Sequence, residues 1–120
     1  MRTTLDWETI KVGDALTPMH VDVTATVVVA GAIATRDFMP VHHDREYAAT
    51  QGAPHIFTNI MTDNGYCSRF LTDWAGPQST VRRMSMAMRG NVCAGDEMIL
   101  TGTVTKMTLS SEPSAGTGME

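Results

Sequence analysis

The sequence predicts an α+β fold, and three observations carry that reading. Residues 56–74 repeat apolar side chains at three- and four-residue steps, which is the stripe of a core-facing helix. On either side, residues 16–23, 80–90 and 98–109 have strand composition and are bounded by turn residues. Strands, one buried helix and then an antiparallel meander is an α+β order of elements. The 120 residues are read as one domain, 1–120, long enough to bury a core without disulfides or a metal.

Each element has its local reason. Residues 1–11 form a polar lead-in, and Val12-Gly13-Asp14-Ala15 is a turn before a strand over Leu16–Val23. Thr24 is placed to cap whatever follows. Residues 25–35 point both ways: Val27-Val28-Val29 favours a strand, while Ala30, Ala32 and Ala34 favour a helix. Further on, Asp44 caps a short helix over Arg45–Thr50, which Gly52 ends. In the long helix, Ile56, Phe57, Ile60, Met61, Cys67, Phe70, Leu71 and Trp74 take one side. Thr62, Asp63, Ser68, Arg69, Thr72 and Asp73 take the other, and Gly76-Pro77 stops it. Gly65 costs up to ~1 kcal/mol inside a helix, so a close backbone approach is expected there.

Strands over Thr80–Gly90 and Met98–Leu109 follow, joined through Asn91, Gly95 and Asp96. Alternation puts Met84, Met86 and Met88 on one strand face, packed on the helix or bordering a broad apolar pocket. Ser110–Gly118 reads as a loop or disordered segment.

Composition narrows the function classes. A net charge of −4 argues against nucleic acid, whose phosphates need a basic face. No segment is long or apolar enough to span a bilayer, and the first residues lack the apolar stretch of a signal peptide. Cys67 and Cys93 have no metal-ligand spacing, and the cytoplasm, which keeps thiols reduced, is the expected compartment.

The chemistry concentrates in Ala34-Thr35-Arg36-Asp37-Phe38-Met39-Pro40-Val41-His42-His43-Asp44. On one continuous helix, residues five apart point roughly 140° away from each other. Pro40 forbids that helix, so the chain must loop, and a loop brings Asp37 and His42 onto one small target such as water. An arbitrary Asp-x-x-x-x-His pair is most often a helix stop beside a surface histidine. This one sits in a segment that resembles the signature of the MaoC-like, or hydratase-2, family of hot-dog-fold enzymes. Asp37, Pro40, Val41, His42 and the small residue Ala48 match in order and spacing, while Met39 replaces the usual asparagine. Ile56–Asp63 and Leu71–Pro77 resemble one MaoC-like subfamily, the small subunits of heteromeric enoyl-CoA hydratases acting on steroid side chains.

The resemblance implies a single hot-dog domain: an antiparallel sheet wrapped around the long central helix, with residues 25–35 helical and a further long strand beginning near Met119-Glu120. It implies that Asp37 and His42 activate water for syn addition to a 2-enoyl-CoA. Such a reaction needs groups that exchange protons near neutral pH and a donor for the enolate-like thioester oxygen. The family's glycine N–H at the head of the central helix corresponds here to Asn59, at a position that also suits an ordinary first-turn residue. Asn59 and Gly65 are therefore the candidate substrate-binding residues. Neither a metal nor a redox cofactor is implied, coenzyme A arrives with the substrate, and the partner is a second MaoC-like chain or otherwise another copy.

Four other groups are weaker candidates. His43 falls outside the motif spacing, and neither His20 nor His55 fits a metal pattern. Arg82, Arg83 and Arg89 suit coenzyme A phosphates but are more simply a solvated face. Two rival functions remain: a hot-dog acyl-CoA thioesterase, which usually lacks the Asp-x-x-Pro-Val-His loop, and a non-catalytic partner subunit, which would not need both Asp37 and His42.

Overall fold

The computed structural model describes residues 3–109, in which strand β1 (Met19–Asp22), helices α1 (Ala25–Ala34), α2 (Arg45–Thr50) and α3 (Ile60–Ala75), and strand β2 (Glu97–Leu100) follow in order. β1 and β2 pair antiparallel, Met19 opposite Leu100 and Asp22 opposite Glu97. A bridge from Ala15 to Thr103 extends the pairing. The architecture is α+β with α3 as its central helix.

Residues 25–35 are helical, as the resemblance implies. Thr24 settles the choice locally, its hydroxyl accepting the Val27 N–H at 3.2 Å. Val28 and Ala32, four apart on α1, are buried. α2 has the expected bounds because Asp44 accepts the Tyr47 N–H at 3.0 Å and Gly52 takes a positive φ of 82°. Ala48 is fully buried with Val23, Val28, Ala53 and Ile56, so the small residue of the motif is small because it packs in this cluster.

α3 starts four residues later than its apolar periodicity suggests. Residues 56–58 are extended instead: the Ala94 N–H bonds the Ile56 carbonyl, and the Thr58 N–H bonds that of Val92. Backbone pairing wins over helical pattern there, and Asn59 becomes the N-cap, accepting the Thr62 N–H at 3.0 Å. The helix is also turned relative to expectation. Ile60 and Met61 are 50% and 57% exposed, whereas Asp63 is buried. Phe70 holds α3 on the sheet in a second cluster with Leu16 and Leu100. At its end, Gly76 has φ 94°, and a Cβ there would collide with the Thr4 backbone, where the N-terminal segment crosses.

Three expectations are corrected. Residues 80–90 form no ladder among the described residues, and β2 ends at Leu100, because strand content depends on a neighbouring partner as well as on composition. Met84 and Met86 nevertheless border an apolar cleft of about 450 Å³ with Phe70, Leu71 and Leu100, whereas Met88 does not. Gly65 meets no close backbone, since a Cβ there would contact nothing. The tight approach belongs to Gly31 on α1, where a Cβ would overlap Thr62 Oγ1. The expected loop at 110–118 and the strand start at 119–120 lie outside the described residues. Among the described residues no helix is long and apolar enough to cross a membrane.

Candidate active site

The loop between α1 and α2 does what Pro40 demands. Arg36 adopts a positive φ of 57°, which ends α1, and Pro40–His42 form a single 3-10 turn. These two features fold the chain back so that His42 Nε2 lies 3.2 Å from Asp37 Oδ2. The imidazole is buried and the carboxylate about one third exposed, so the pair has one face toward solvent.

The histidine is held by its other nitrogen. Nδ1 lies 2.7 Å from the Phe57 carbonyl, an atom that only accepts, so Nδ1 carries the proton. Nε2, 3.2 Å from Asp37 Oδ2, is then the ring nitrogen left to take up or release a proton. Phe57 also meets the ring edge-on, with centroids 5.2 Å apart. The extended segment at 56–58 that displaced the start of α3 is thus what fixes the tautomer.

Asn59 organises the carboxylate side. Its Nδ2 donates to Asp37 Oδ2 at 3.0 Å and to Thr35 Oγ1 at 2.7 Å. Its Oδ1 accepts from the Thr62 N–H at 3.0 Å and from Thr62 Oγ1 at 2.6 Å. All four hydrogen-bonding positions of the buried amide are used. The Asn59 amide, above all, holds the Asp37 carboxyl below its usual range, helped by the Met39 N–H and by His42 against the effect of burial. Met39, which stands where the motif has asparagine, contributes only that backbone N–H, at 3.3 Å. The positioning amide comes instead from the cap of α3. Asn59's own N–H takes no acceptor among the described residues.

Asp63, one turn beyond Asn59 on α3, is a buried carboxyl that sequence reasoning placed on the polar face. Burial pushes its carboxyl above the usual range, partly opposed by a hydrogen bond from Thr58 and by the nearby His42. The available signal was the four- and three-residue series Asn59, Asp63, Cys67, Phe70, which places an acid on the stripe that leads to the core.

The remaining candidates sit elsewhere. His43 is exposed against the Phe38 carbonyl, His20 pairs across the sheet with Glu97 at 2.7 Å, and His55 accepts its neighbour's N–H. Arg82, Arg83 and Arg89 are exposed. Burial raises the Cys67 and Cys93 thiols above their usual range, which disfavours thiolate chemistry. Among the described residues no group of three or more His, Cys, Asp or Glu side chains is arranged to hold a metal ion. Gly65 lines an open apolar groove of about 510 Å³ between α1 and α3 with Gly31, Ala34, Met61 and Tyr66. Thr35 also lines that groove, one hydrogen bond from Asn59 and two from Asp37.

A buried imidazole held at Nδ1, with a carboxylate 3.2 Å from Nε2, makes a candidate acid–base site at the head of a central helix. Comparison with known proteins gives that class a family. The chain is 40% identical over 94 residues to the 3-oxo-4,17-pregnadiene-20-carboxyl-CoA hydratase beta subunit of Mycobacterium tuberculosis, spanning 78% of this chain and 73% of that one. It matches one chain of the ChsH1-ChsH2 complex from Mycobacterium tuberculosis with a TM-score of 0.80 at 39% identity, over 83% of this chain and 78% of that one. The (R)-hydratase from A. caviae involved in PHA biosynthesis shares the fold, with a TM-score of 0.74 at 24% identity over 84% and 76% of the two chains. No family model matches the chain. The protein belongs to the MaoC-like hot-dog family of enoyl-CoA hydratases.

Proposed function

We propose that this chain is the catalytic subunit of a heteromeric enoyl-CoA hydratase that acts on a steroid side-chain thioester. The observation that carries the reading is the Nδ1–Phe57 bond, which leaves His42 Nε2, 3.2 Å from Asp37, as the nitrogen that exchanges a proton. A water hydrogen-bonded to both Nε2 and the Asp37 carboxylate from their solvent side loses a proton to His42 as its oxygen bonds the β-carbon of the enoyl group. The α-carbon then takes a proton from the same pair, so the dyad returns to its starting state. The Asn59 N–H, at the head of α3, is suited to the thioester oxygen as it gains enolate character.

The groove between α1 and α3 offers the acyl group an apolar wall that includes Gly65 and Met61. The steroid assignment rests on the name of the Mycobacterium tuberculosis relative, and a second MaoC-like chain as partner rests on the two-component complex that this chain resembles. Coenzyme A enters as part of the substrate, the chemistry needs neither metal nor redox cofactor, and the compartment is the cytoplasm.

The test is co-expression with a second MaoC-like chain, followed by hydration assays on a polycyclic side-chain enoyl-CoA and on crotonyl-CoA. The expected result is a co-purifying complex with higher kcat/KM on the polycyclic substrate. A fully active monomer, or a clear preference for crotonyl-CoA, would contradict the partner or the steroid assignment respectively.

A further inference from the structure

The groove between α1 and α3 has two different ends. On α3, Thr62, Gly65 and Arg69 recur at three- and four-residue steps, so they share the face that lines the groove. On α1 the lining runs from Thr35 back to Val27. Thr35 bonds Asn59 and Gly31 lies against Thr62, so this end adjoins the network around Asp37. Val27 and Arg69 form the other end. Seven residues of helix separate Thr62 from Arg69, about 10 Å along the axis.

The polar groups at these ends differ in what they can still bind. At the near end, Thr35 Oγ1 donates to the Gly31 carbonyl and accepts from Asn59, and Thr62 Oγ1 donates to Asn59 Oδ1. At the far end, only Nε of Arg69 is engaged, 3.4 Å from Asp73 Oδ2 and within α3 itself. Its two terminal nitrogens take no acceptor among the described residues. A guanidinium has five N–H donors and no acceptor, so its ligand must offer an acceptor. The Asp73 carboxylate already lies beside the guanidinium and would repel a second carboxylate, which favours a neutral oxygen. Midway, a Cβ on Gly65 would meet nothing, which leaves width for fused rings.

We propose that Arg69 is a specificity-determining residue that binds a neutral carbonyl oxygen on the ring of a polycyclic acyl group farthest from the thioester. The thioester lies at the Asp37 end, the rings pass Gly65, and the distal oxygen meets the free guanidinium nitrogens. A rigid skeleton fixes the spacing of the two contacts, so the second needs little further ordering. This role rests on the hydratase reading, in which the groove takes the acyl group.

The experiment uses the full chain assembled with its partner and three enoyl-CoA thioesters of one fused-ring skeleton. One carries a ketone on the distal ring, one has a methylene there, and one carries a carboxylate. Wild type should favour the ketone over the methylene compound about 10-fold in kcat/KM, and the carboxylate should fall below the ketone. The preference is modest because the Arg69 side chain is 62% exposed. Arg69→Met keeps the length and removes the donors, so the ketone preference should drop below about 2-fold. The loss should fall on KM, since a contact made equally in ground and transition states leaves kcat unchanged. Tm should hold, because an exposed i,i+4 ion pair contributes little.

The proposal is overturned if wild type treats ketone and methylene alike, if the preference survives Arg69→Met, or if the carboxylate is the best substrate. Arg69→Met that dissociates the complex in sedimentation also overturns it, since the partner would then cover this end of the groove. Hydration of crotonyl-CoA but of no ring thioester defeats the polycyclic reading itself, whereas equal hydration of the ketone and methylene compounds defeats only the role of Arg69. Calorimetric affinities for the saturated ring thioesters give the same comparison independently of turnover.

Discussion

Replacing Asn59 with alanine should damage stability and rate together, with a pH signature that identifies the cause. The variant removes four hydrogen bonds of 2.6–3.0 Å made by one amide. Loss of the helix cap costs about 1 kcal/mol. The bond to the Asp37 carboxylate is charge-assisted, nominally about 1.5–3 kcal/mol, but the carboxylate is about one third exposed, so solvent screening brings it nearer ~1 kcal/mol. Thr35 keeps a partner, since its hydroxyl still donates to the Gly31 carbonyl at 2.8 Å. The sum is about 2 kcal/mol near neutral pH.

The sign of the pH dependence follows from Asp37. Its folded pKa is depressed, chiefly by Asn59, so the stability it contributes is present above the unfolded value and is lost as pH falls through the folded one. Urea unfolding of wild type and Asn59→Ala should therefore show a gap that is widest near neutrality and narrows below about pH 4. Asn59→Asp separates the two roles, because it keeps the cap acceptor yet sets a second carboxylate about 3.0 Å from Asp37 Oδ2. Two such groups resist ionising together, so this variant should lose stability as pH rises. A gap between wild type and Asn59→Ala that is independent of pH would refute the argument.

Other outcomes follow from the same contacts. Gly31→Ala should cost about 1–3 kcal/mol in denaturant unfolding, because the added methyl overlaps the Thr62 hydroxyl that Asn59 holds. Gly65→Ala meets nothing and should be neutral or stabilising by up to ~1 kcal/mol, measured the same way. Gly65→Leu should lower kcat/KM for a polycyclic enoyl-CoA several-fold more than for crotonyl-CoA, since it fills the groove between α1 and α3. The raised folded pKa of Asp63 gives stability that is complete below its unfolded value near about 3.9 and lost as pH rises through the folded value. In Asp63→Asn, that loss should disappear from thermal unfolding measured across pH.

What could be read in advance was local. Asp44 and Gly52 gave α2 its bounds, and Pro40 required the loop that joins Asp37 to His42, because caps and breakers act within a few residues. The role of the Asn59 side chain could not be read, since it depends on Thr35 and Asp37, 24 and 22 residues away and brought near only by the packing of α1 on α3. The same contact explains the exchange of glycines: Gly65 looked like the close approach because it interrupts the longer helix, yet Gly31 lies against Thr62. Asp63 was assigned to the polar side because Ile60 and Met61 weighted the apolar face, and both are exposed. The strand expected at 80–90 failed for a related reason, as β composition describes a residue's fitness for a sheet and not the presence of a partner strand.

The most direct measurement of the central claim is the hydration rate of the assembled enzyme carrying His42→Ala or Asp37→Asn, with circular dichroism to verify the fold. Loss of the enoyl absorbance reports addition of water. Each variant should fall at least about 100-fold in kcat/KM while remaining folded and assembled, because in the proposed mechanism the pair supplies the proton transfers of the reaction. A folded His42→Ala that hydrates the enoyl-CoA at the wild-type rate would mean that water is activated elsewhere, and the assignment of this site would be wrong.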